Sequence, residues 1–379
     1  MTEVTEAGQP SRPQSVAEFS DAACDVISPA AWDFISGGSG AERSVAANLR
    51  AFDNLYVAPR MLRDVSHVST ASRLVGTEAS LPVAIAPMAY HGLVHPQSEA
   101  ATARAAKAAG VPFTVAMLSG TPVERIAESG ADLWFQLYWL RDRGATKELV
   151  SRAEAAGCQA LMLTVDVPRL GRRLKDQRNG FALPPDVYAA HFRGEAAIGA
   201  QRAPASGSAV ASHTTEMFDP SLAWSDIEWL RERTRLPLVV KGILTREDAL
   251  MAMRSGVDAL VVSNHGGRQL DGAVPGLTVL PEIRAAVGDT VEVLVDGGIR
   301  SGADVLKALA RGADGVLLGR PILYGLAVGG ESGVDAVLSL LREELETDLA
   351  LSGCRTVGEA AHLTTYEFSA SSSTGTATW

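Results

Sequence analysis

The stretch SNHGGRQLD, at residues 263–271, combines residue types that can move protons and bind anions. It continues the apolar run DALVVS, which is typical of a strand buried on both faces. His265 can act as a base near neutral pH, and Arg268 can hold a carboxylate through two hydrogen bonds. The stretch is therefore either an ordinary turn after a strand or one wall of an active site.

Polar side chains also stand where the other apolar runs end. Asp166 could orient His265, and Arg173 could hold a carboxylate together with Arg268. A base beside a bound carboxylate is what the oxidation of a 2-hydroxy acid requires. Lys241 ends an apolar run, so it faces either an electron-rich ligand or solvent. The other candidates at these ends are Met88, Ala89, Gln136, Tyr138, Thr164, Ser263, Asp296, Gly298, Arg300, Gly319 and Arg320. Together they predict a site at one rim of the fold.

The last two apolar runs end in DGGIRSG and GRP, which place glycines beside Arg300 and Arg320. Backbone N–H groups at such glycines can approach an anion, and barrels frequently bind phosphate after their seventh and eighth strands. These segments predict a phosphate site, although each is also compatible with a simple turn.

Eight apolar runs alternate with Ala-, Glu- and Arg-rich stretches typical of helices. The runs span residues 81–87, 111–116, 133–137, 160–165, 236–241, 258–263, 291–296 and 314–319. Parallel pairing through right-handed crossovers predicts an α/β fold, a (β/α)8 TIM barrel, after an N-terminal helical extension. An open doubly wound sheet is the alternative, but no GxGxxG follows the first run.

The organisation predicted from composition is one barrel domain over residues 15–367, with a disordered N-terminus at 1–14 and a flexible tail at 368–379. About seventy residues separate the fourth and fifth runs, and much of this insertion is poor in large apolar residues. A structureless insertion of that length is usually disorder or a functional lid. We predict a mobile loop after strand 4, with residues 181–225 as a lid over the site.

The composition restricts the ligand and the compartment. A net charge of −10 argues against general nucleic-acid binding, and no apolar run is long enough for a membrane span. The three cysteines are far apart, and the N-terminus lacks a signal peptide, so a cytoplasmic protein is expected. His91 and His95 have a metal-like spacing, but Pro96 follows and no Glu accompanies them, so no metal is predicted.

SNHGGRQLDG resembles the signature of the FMN-dependent 2-hydroxy acid oxidases and dehydrogenases, such as glycolate oxidase, lactate oxidase and mandelate dehydrogenase. FQLY, LTVDVPRLGRR, VVKGILT, LVDGGIRSG and LLGRP fall in the order of that family, from about residue 15 to about residue 360. WDFISGGSGAE, APMAYHGLVHP and RNGFALP look most like the bacterial hydroxymandelate oxidases. The resemblance implies FMN as cofactor and a homotetramer.

The resemblance also implies a role for each candidate residue. His265 would be the base, Asp166 would stabilise its imidazolium, and Lys241 would stabilise the reduced flavin. The substrate would contact Phe34, Tyr138, Arg173, His265 and Arg268. The flavin ring would contact Met88, Ala89, Gln136, Thr164, Lys241 and Ser263. The ribityl chain would contact Asp296. The phosphate would contact Gly298, Arg300, Gly319 and Arg320.

Two positions depart from the family pattern. Phe34 stands where a substrate-binding tyrosine is common, and Ala116 stands where a flavin-contacting serine or threonine is common. Phe34 favours a larger, less polar substrate, and we hypothesise a pocket for an aromatic ring lined by Phe34, Met88, Met117, Leu118 and Trp139.

The expected reaction is oxidation of an (S)-2-hydroxy acid of the mandelate type to the 2-oxo acid, with O2 reduced to hydrogen peroxide. A dehydrogenase with another electron acceptor and a decarboxylating monooxygenase remain open. An FMN barrel isomerase and a non-catalytic flavin-binding barrel are the alternatives from other classes.

Overall fold

The computed structural model describes residues 12–202 and 207–368, and it begins with an N-terminal extension. Ser15 caps the first helix by accepting a hydrogen bond from the Glu18 amide, and Pro29 opens the second at a position where its missing N–H is not needed. The extension comprises α1 (Val16–Val26), α2 (Pro29–Ser36), α3 (Arg43–Asp53), β1 (Leu55–Ala58), β2 (Ser72–Leu74) and β3 (Thr77–Ala79).

Eight parallel strands then form a closed barrel in chain order. They are β4 (Val83–Met88), β5 (Phe113–Ala116), β6 (Leu133–Leu137), β7 (Ala160–Thr164), β8 (Leu238–Ile243), β9 (Ala259–Val262), β10 (Glu292–Asp296) and β11 (Gly315–Leu318). The barrel closes where Val316 of β11 pairs with Val83 of β4. Each strand overlaps one of the eight predicted runs, so the predicted (β/α)8 barrel is confirmed and the open sheet is excluded.

Helices surround the barrel and bury their apolar faces against it. They are α4 (Ser98–Ala109), α5 (Val123–Ala127), α6 (Arg143–Ala155), α7 (Leu174–Arg178), α8 (Glu195–Ile198), α9 (Ala209–Met217), α10 (Trp224–Arg231), α11 (Arg246–Arg254), α12 (Gly276–Val287), α13 (Gly302–Ala310), α14 (Arg320–Ser352) and α15 (Val357–Ala360). Non-helical angles at Gly329 and Gly330 interrupt α14. The last strand, β12 (Thr364–Glu367), pairs antiparallel with β1 outside the barrel.

A short hairpin closes the N-terminal mouth of the barrel. Leu74 of β2 and Ala79 of β3 belong to the same apolar cluster as the inward-facing barrel residues Trp134 and Met162. The indole N–H of Trp134 donates to the Thr77 hydroxyl at 3.2 Å. The core is therefore sealed at this end, and the opposite rim is the one left open for chemistry.

The insertion after strand 4 is not structureless over the described residues, while its mobility stays a prediction. Between Val165 and Leu236 the chain forms α7, α8, α9, α10 and a 3-10 turn at Gly199–Gln201. The stretch AVASHTTEM forms α9 although it lacks large aliphatic side chains, because one face of the helix, with Ala209, Val210, His213 and Thr214, is buried by tertiary packing. Residues 203–206, inside the predicted lid, lie outside the described residues.

The predicted disordered ends fall largely outside the described ranges, which exclude residues 1–11 and 369–379. At the C-terminal end, the Phe368 amide donates to the Asn54 carbonyl at 2.9 Å, so residue 368 is tied to the body of the protein. In residues 12–202 and 207–368, no helix has the length and apolar character needed to cross a membrane.

Candidate active site

A cavity opens at the carboxyl ends of the barrel strands, where loops and helix α2 meet. Most of the residues singled out from the sequence line this one cavity. They are Phe34, Met88, Ala89, Tyr138, Thr164, Arg173, Lys241, His265, Arg268, Asp296, Gly298, Arg300, Gly319 and Arg320. Parallel strands present their carboxyl ends at the same rim, which is why residues so distant in sequence meet here.

Three predicted residues lie behind the cavity wall and hydrogen-bond the residues that line it. Gln136 donates to the Thr164 hydroxyl at 3.1 Å, and the Lys241 ammonium donates to the Ser263 hydroxyl at 2.9 Å. The third, Asp166, lies 2.9 Å from Nδ1 of His265.

The His265–Asp166 pair has the geometry of an oriented base. An ionised carboxylate can only accept, so Nδ1 of His265 donates to Asp166 and the lone pair is left on Nε2. His265 has φ of +58°, an unusual value for a residue other than glycine, and its amide donates to the Ser263 hydroxyl at 3.0 Å. The neighbouring structure thus holds a backbone conformation that presents the ring to the cavity.

The charges around this pair fix its protonation. Burial lowers the pKa of His265, and Asp166 only partly opposes this shift. Burial alone would raise the pKa of Asp166, but the charges of His265 and Lys241 and the hydrogen bond from His265 outweigh it and lower the pKa. The pair is therefore a neutral imidazole beside an ionised carboxylate at neutral pH, and the carboxylate is ready to stabilise the imidazolium.

Two arginines form the neighbouring wall of the cavity. Nη1 of Arg268 donates to the Gly37 carbonyl at 2.7 Å, which anchors its guanidinium to the end of α2. The guanidinium carbons of Arg173 and Arg268 lie 5.7 and 5.3 Å from the centre of the Phe34 ring. Phe181 stacks on Phe34 with ring centres 4.5 Å apart. One phenyl ring therefore positions both cations through cation–π contacts.

Lys241 is buried at the bottom of the cavity and is paired rather than exposed. Its ammonium lies 2.9 Å from Oδ2 of Asp296. Burial would lower the pKa of Lys241, but Asp296 and Asp166 outweigh it and raise the pKa. The other oxygen of Asp296, Oδ1, is buried without a hydrogen-bond partner among the described residues, so it is free to accept from a ligand hydroxyl.

The glycine-containing strand ends lie at β10 and β11. Gly298 has φ of +103°, and a Cβ there would lie 2.4 Å from the Asn48 carbonyl oxygen, so only glycine fits. Arg320 donates to the carbonyls of Ile35, Gly37 and Gly266, at 3.0, 2.9 and 3.1 Å respectively. Its guanidinium thus braces α2 against the loop that carries His265 while it lines the cavity.

The insertion after strand 4 covers this cavity, and some of its contributions were not predicted individually. Val210, Thr214 and Phe218 line the cavity from α9 and its end, and Phe218 stacks on Tyr138 with ring centres 4.5 Å apart. Leu118 lines the cavity as hypothesised. Nothing in the local sequence distinguishes Val210 or Thr214 from ordinary helix residues.

The prediction that Met117 and Trp139 line an aromatic pocket was wrong. Met117 and Trp139 do not line the cavity but are buried in the core, and Trp139 packs edge-on against Trp229 with ring centres 5.3 Å apart. Side chains alternate in direction along an extended segment, so neighbours of a lining residue often point into the core instead.

Comparison with known proteins assigns the family. The model of the FMN-dependent dehydrogenases matches residues 23–365. The chain belongs to this family. It is 53% identical to a 4-hydroxymandelate oxidase of Amycolatopsis orientalis over 93% of this chain and 98% of that protein. It is 46% identical to an L-lactate oxidase of Nostoc sp. over 91% of this chain and 95% of that protein.

Solved structures agree with this assignment. A crystal structure of mandelate oxidase with (S)-4-hydroxymandelic acid superposes with a TM-score of 0.92 at 52% identity, covering 94% of this chain and 99% of that chain.

The cavity fits the FMN that this family uses. Buried Lys241 offers a cation for the electron-rich part of a flavin ring, and the unpartnered Oδ1 of Asp296 offers an acceptor for a polyol hydroxyl. Gly298 contributes backbone to the cavity lining, and Arg300 and Arg320 contribute the positive charge that a phosphate needs. Partners of suitable charge or hydrogen-bonding type for each part of FMN are thus present in one cavity.

Proposed function

We propose that this protein oxidises an (S)-2-hydroxy acid to the corresponding 2-oxo acid and reduces O2 to hydrogen peroxide. The observation that supports this most is the meeting of an oriented base with two arginines on one cavity wall. His265 hydrogen-bonds Asp166, while Arg173 and Arg268 lie over the ring of Phe34 beside it. An isomerase of phosphorylated substrates has no need for this arginine pair next to the base.

Each residue of this wall has a defined task in the proposed reaction. Arg173 and Arg268 bind the substrate carboxylate, and Tyr138 contacts its hydroxyl region. The substrate loses two electrons and two protons, and Nε2 of His265 accepts a proton while Asp166 stabilises the imidazolium that results. Bound FMN supplies the two-electron acceptor of this oxidation and the centre at which O2 is reduced.

The cofactor contacts follow from the position of each residue around the cavity. We propose that the residues at the ends of β4 to β9 hold the flavin ring, namely Met88, Ala89, Gln136, Thr164, Lys241 and Ser263. Asp296 accepts from the ribityl chain. The phosphate is bound by Gly298, Arg300, Gly319 and Arg320. Arg320 can turn toward a phosphate by exchanging its carbonyl partners for stronger charge-assisted bonds.

The cavity favours an aromatic substrate of the mandelate or 4-hydroxymandelate type. Phe34 offers a phenyl ring and no hydroxyl, and Leu118, Leu170 and Phe218 add apolar surface to the same cavity. The similarity to a 4-hydroxymandelate oxidase supports this choice. We expect kcat/KM to be higher for mandelate than for lactate or glycolate; a clear preference for glycolate would refute the aromatic assignment.

Anaerobic reduction separates the proposed function from its alternatives. Adding mandelate to the purified yellow holoenzyme under argon should bleach the flavin, and admitting O2 should restore the colour with one hydrogen peroxide formed per substrate. A flavin that stays oxidised would indicate a non-catalytic barrel or an isomerase. Bleaching followed by loss of carbon dioxide from the product, without free peroxide, would indicate the monooxygenase outcome. Slow reoxidation by O2 would indicate a dehydrogenase.

The remaining assignments concern the whole protein. We propose a homotetramer in the cytoplasm, in which residues 181–225 act as a mobile lid over the substrate. The three cysteines are free thiols, which is compatible with a reducing compartment. Light scattering after gel filtration tests the tetramer directly, since it should give four times the subunit mass of 39.8 kDa.

A further inference from the structure

Asp176 is a buried acid that the proposed reaction does not use. It lies in α7, three residues after Arg173, and only 1% of its surface is exposed. Neither oxygen of its carboxylate has a hydrogen-bond partner among the described residues. It does not line the cavity, so it lies behind the arginine wall without reaching the substrate. A buried carboxylate in this state is unfavourable unless nearby charges compensate it.

The compensating charges belong to the substrate-binding wall. Arg173 and Arg268 are the cations that act on Asp176 most strongly, and they favour its ionised form. From α2 and the segment after it, Asp33 and Glu42 oppose ionisation. Both of these acids have partners of their own: Asn179 donates to Asp33 at 3.2 Å, and Lys175 lies 3.2 Å from Glu42. Arg173 and Arg268 are therefore the cations that favour an ionised Asp176.

The balance of these groups leaves Asp176 sensitive to any new charge. Burial raises the pKa of Asp176. The charges of Arg173 and Arg268 lower this pKa, whereas those of Asp33 and Glu42 raise it, and the net shift is upward. The arginine pair itself stays protonated near neutral pH, although burial lowers the pKa of both guanidinium groups. A second anion on the pair weakens the attraction by which Arg173 and Arg268 favour the ionised form of Asp176.

We propose that Asp176 is the proton-linked counter-charge of the arginine pair, so that binding of a carboxylate to Arg173 and Arg268 is accompanied by proton uptake on Asp176. This inference rests on the proposed function, in which the pair binds the substrate carboxylate. With the site empty, we expect Asp176 to be ionised and to offset part of the positive charge of Arg173, which stands three residues before it at the start of α7, and of Arg268. With the site filled, the substrate takes over that role and Asp176 becomes neutral. Asp176 is thus a positioning residue that acts through the arginines.

The test measures binding and proton uptake without turnover. Phenylacetate is the probe, because it carries a carboxylate and an aromatic ring but no hydroxyl to oxidise. His265 also titrates in the site and would take up a proton of its own, so the FMN-loaded His265→Gln variant is the reference protein. Calorimetric titrations in buffers of different ionisation enthalpy, from about pH 5.5 to about pH 8.5, give the number of protons bound per ligand.

The expected result has a defined pH dependence. His265→Gln should take up as much as one proton per phenylacetate as the pH rises, and its Kd should then weaken by about tenfold per pH unit. In His265→Gln/Asp176→Asn, uptake should vanish, Kd should not depend on pH, and binding should be tighter than in the reference at the upper end of the range. The matched control, His265→Gln/Asp33→Asn, removes an acid next to Asp176 and should retain uptake.

Three results would overturn the proposal. One is pH-independent binding of phenylacetate to His265→Gln without proton uptake. This variant keeps Asp176, so the result cannot be attributed to misfolding caused by a substitution at that position. Another is undiminished proton uptake in His265→Gln/Asp176→Asn. An infrared difference spectrum of His265→Gln should also show a protonated carboxyl band on binding, and its absence counts equally against the idea. If phenylacetate binds neither the wild type nor His265→Gln, the carboxylate site of the proposed function fails instead.

Discussion

At the scale of single residues, chemistry in this site depends on which nitrogen of His265 is free. Asp166 fixes the tautomer by accepting from Nδ1 at 2.9 Å, and this leaves Nε2 as the acceptor. Replacement of His265 by Gln keeps the approximate shape but removes the base. We expect FMN to stay bound and kcat to fall by at least about 10²- to 10⁴-fold, the range of general-base terms. Stopped-flow reduction of the flavin by mandelate measures this, and near-normal reduction would refute the role of His265.

The pH dependence follows from the same residue. Burial lowers the pKa of His265, and only the neutral imidazole can accept a proton. As pH falls through this pKa the base becomes protonated, so kcat/KM should decrease on the acidic side with an inflection below the ordinary value for histidine, about 6.5. The measurement is kcat/KM for mandelate against pH. An inflection well above 7 would contradict the environment found here.

Asp166 gives a third prediction, because its negative charge favours the imidazolium form of His265. Asp166→Asn removes the second-largest influence on the pKa of His265, so the acidic inflection of kcat/KM should move to lower pH while kcat falls. Glu18→Gln, an exposed change in α1, is a suitable control for the loss of one negative charge. A variant with a lower rate but an unmoved inflection would show that Asp166 acts only by packing.

Most of the residues that line the cavity could be predicted from the sequence, because polar side chains at the ends of buried strands are unfavourable unless they face a ligand or another partner. It was wrong about Met117 and Trp139, whose positions next to lining residues did not reveal their direction. It gave no signal for Asp176, since an acid in the LKDQR stretch looks like an ordinary surface residue of a helix. Burial of that kind depends on tertiary packing, which local patterns do not encode.

At the scale of elements, the site depends on contact between α2 and the segment after α7. Phe181 stacks on Phe34, and Phe34 in turn faces Arg173 and Arg268. The sequence predicted a covering segment here but not its short helices, because four- to nine-residue helices give too few turns for a clear apolar period. Because Phe181 belongs to the covering segment, we expect its stacking on Phe34 to help align the two arginines.

Phe181→Ala tests this coupling. Loss of the stacked pair removes about 0.5–1.5 kcal/mol from the alignment of the site, so KM for mandelate should rise by about two- to tenfold. Because Phe181 is buried, the substitution should also lower the midpoint of global unfolding, and KM is therefore measured well below that midpoint. Tyr188→Ala is the matched control, because Tyr188 is a half-exposed aromatic residue of the same segment without a stacking partner among the described residues. Equal effects of the two substitutions on KM would argue that stacking on Phe34 does not position the site.

At the scale of the whole molecule, the barrel separates function from stability at its two ends. The open rim carries the buried charges of the site, whereas the β2–β3 hairpin seals the other end with apolar side chains. One acid is exceptional at the sealed end. Both oxygens of Glu292 accept from the Val75 amide at 2.9 Å, and burial raises the pKa of Glu292 to about 7, with Asp314 adding to the shift.

Glu292 should therefore make stability depend on pH. Its pKa in the folded protein lies above the unfolded value of about 4.5, so its favourable contribution is complete below about pH 4.5 and is lost as pH rises through about 7. The difference between the folded and unfolded pKa values of Glu292 corresponds to at most about 3 kcal/mol in the free energy of unfolding. Glu292→Gln keeps an acceptor for the Val75 amide and carries no charge, so its free energy of unfolding should rise relative to the wild type between pH 5 and about pH 8.

Urea unfolding of both proteins across this range measures the effect, and Glu78→Gln in the same hairpin is the control because that side chain is 86% exposed. The kinetics with mandelate should not change, since Glu292 begins β10 and the active site lies past the other end of that strand. Parallel stability curves for Glu292→Gln and the wild type would mean that the carboxylate is solvated in the folded protein. In that case the hairpin would not seal the barrel as tightly as its contacts with Trp134 indicate.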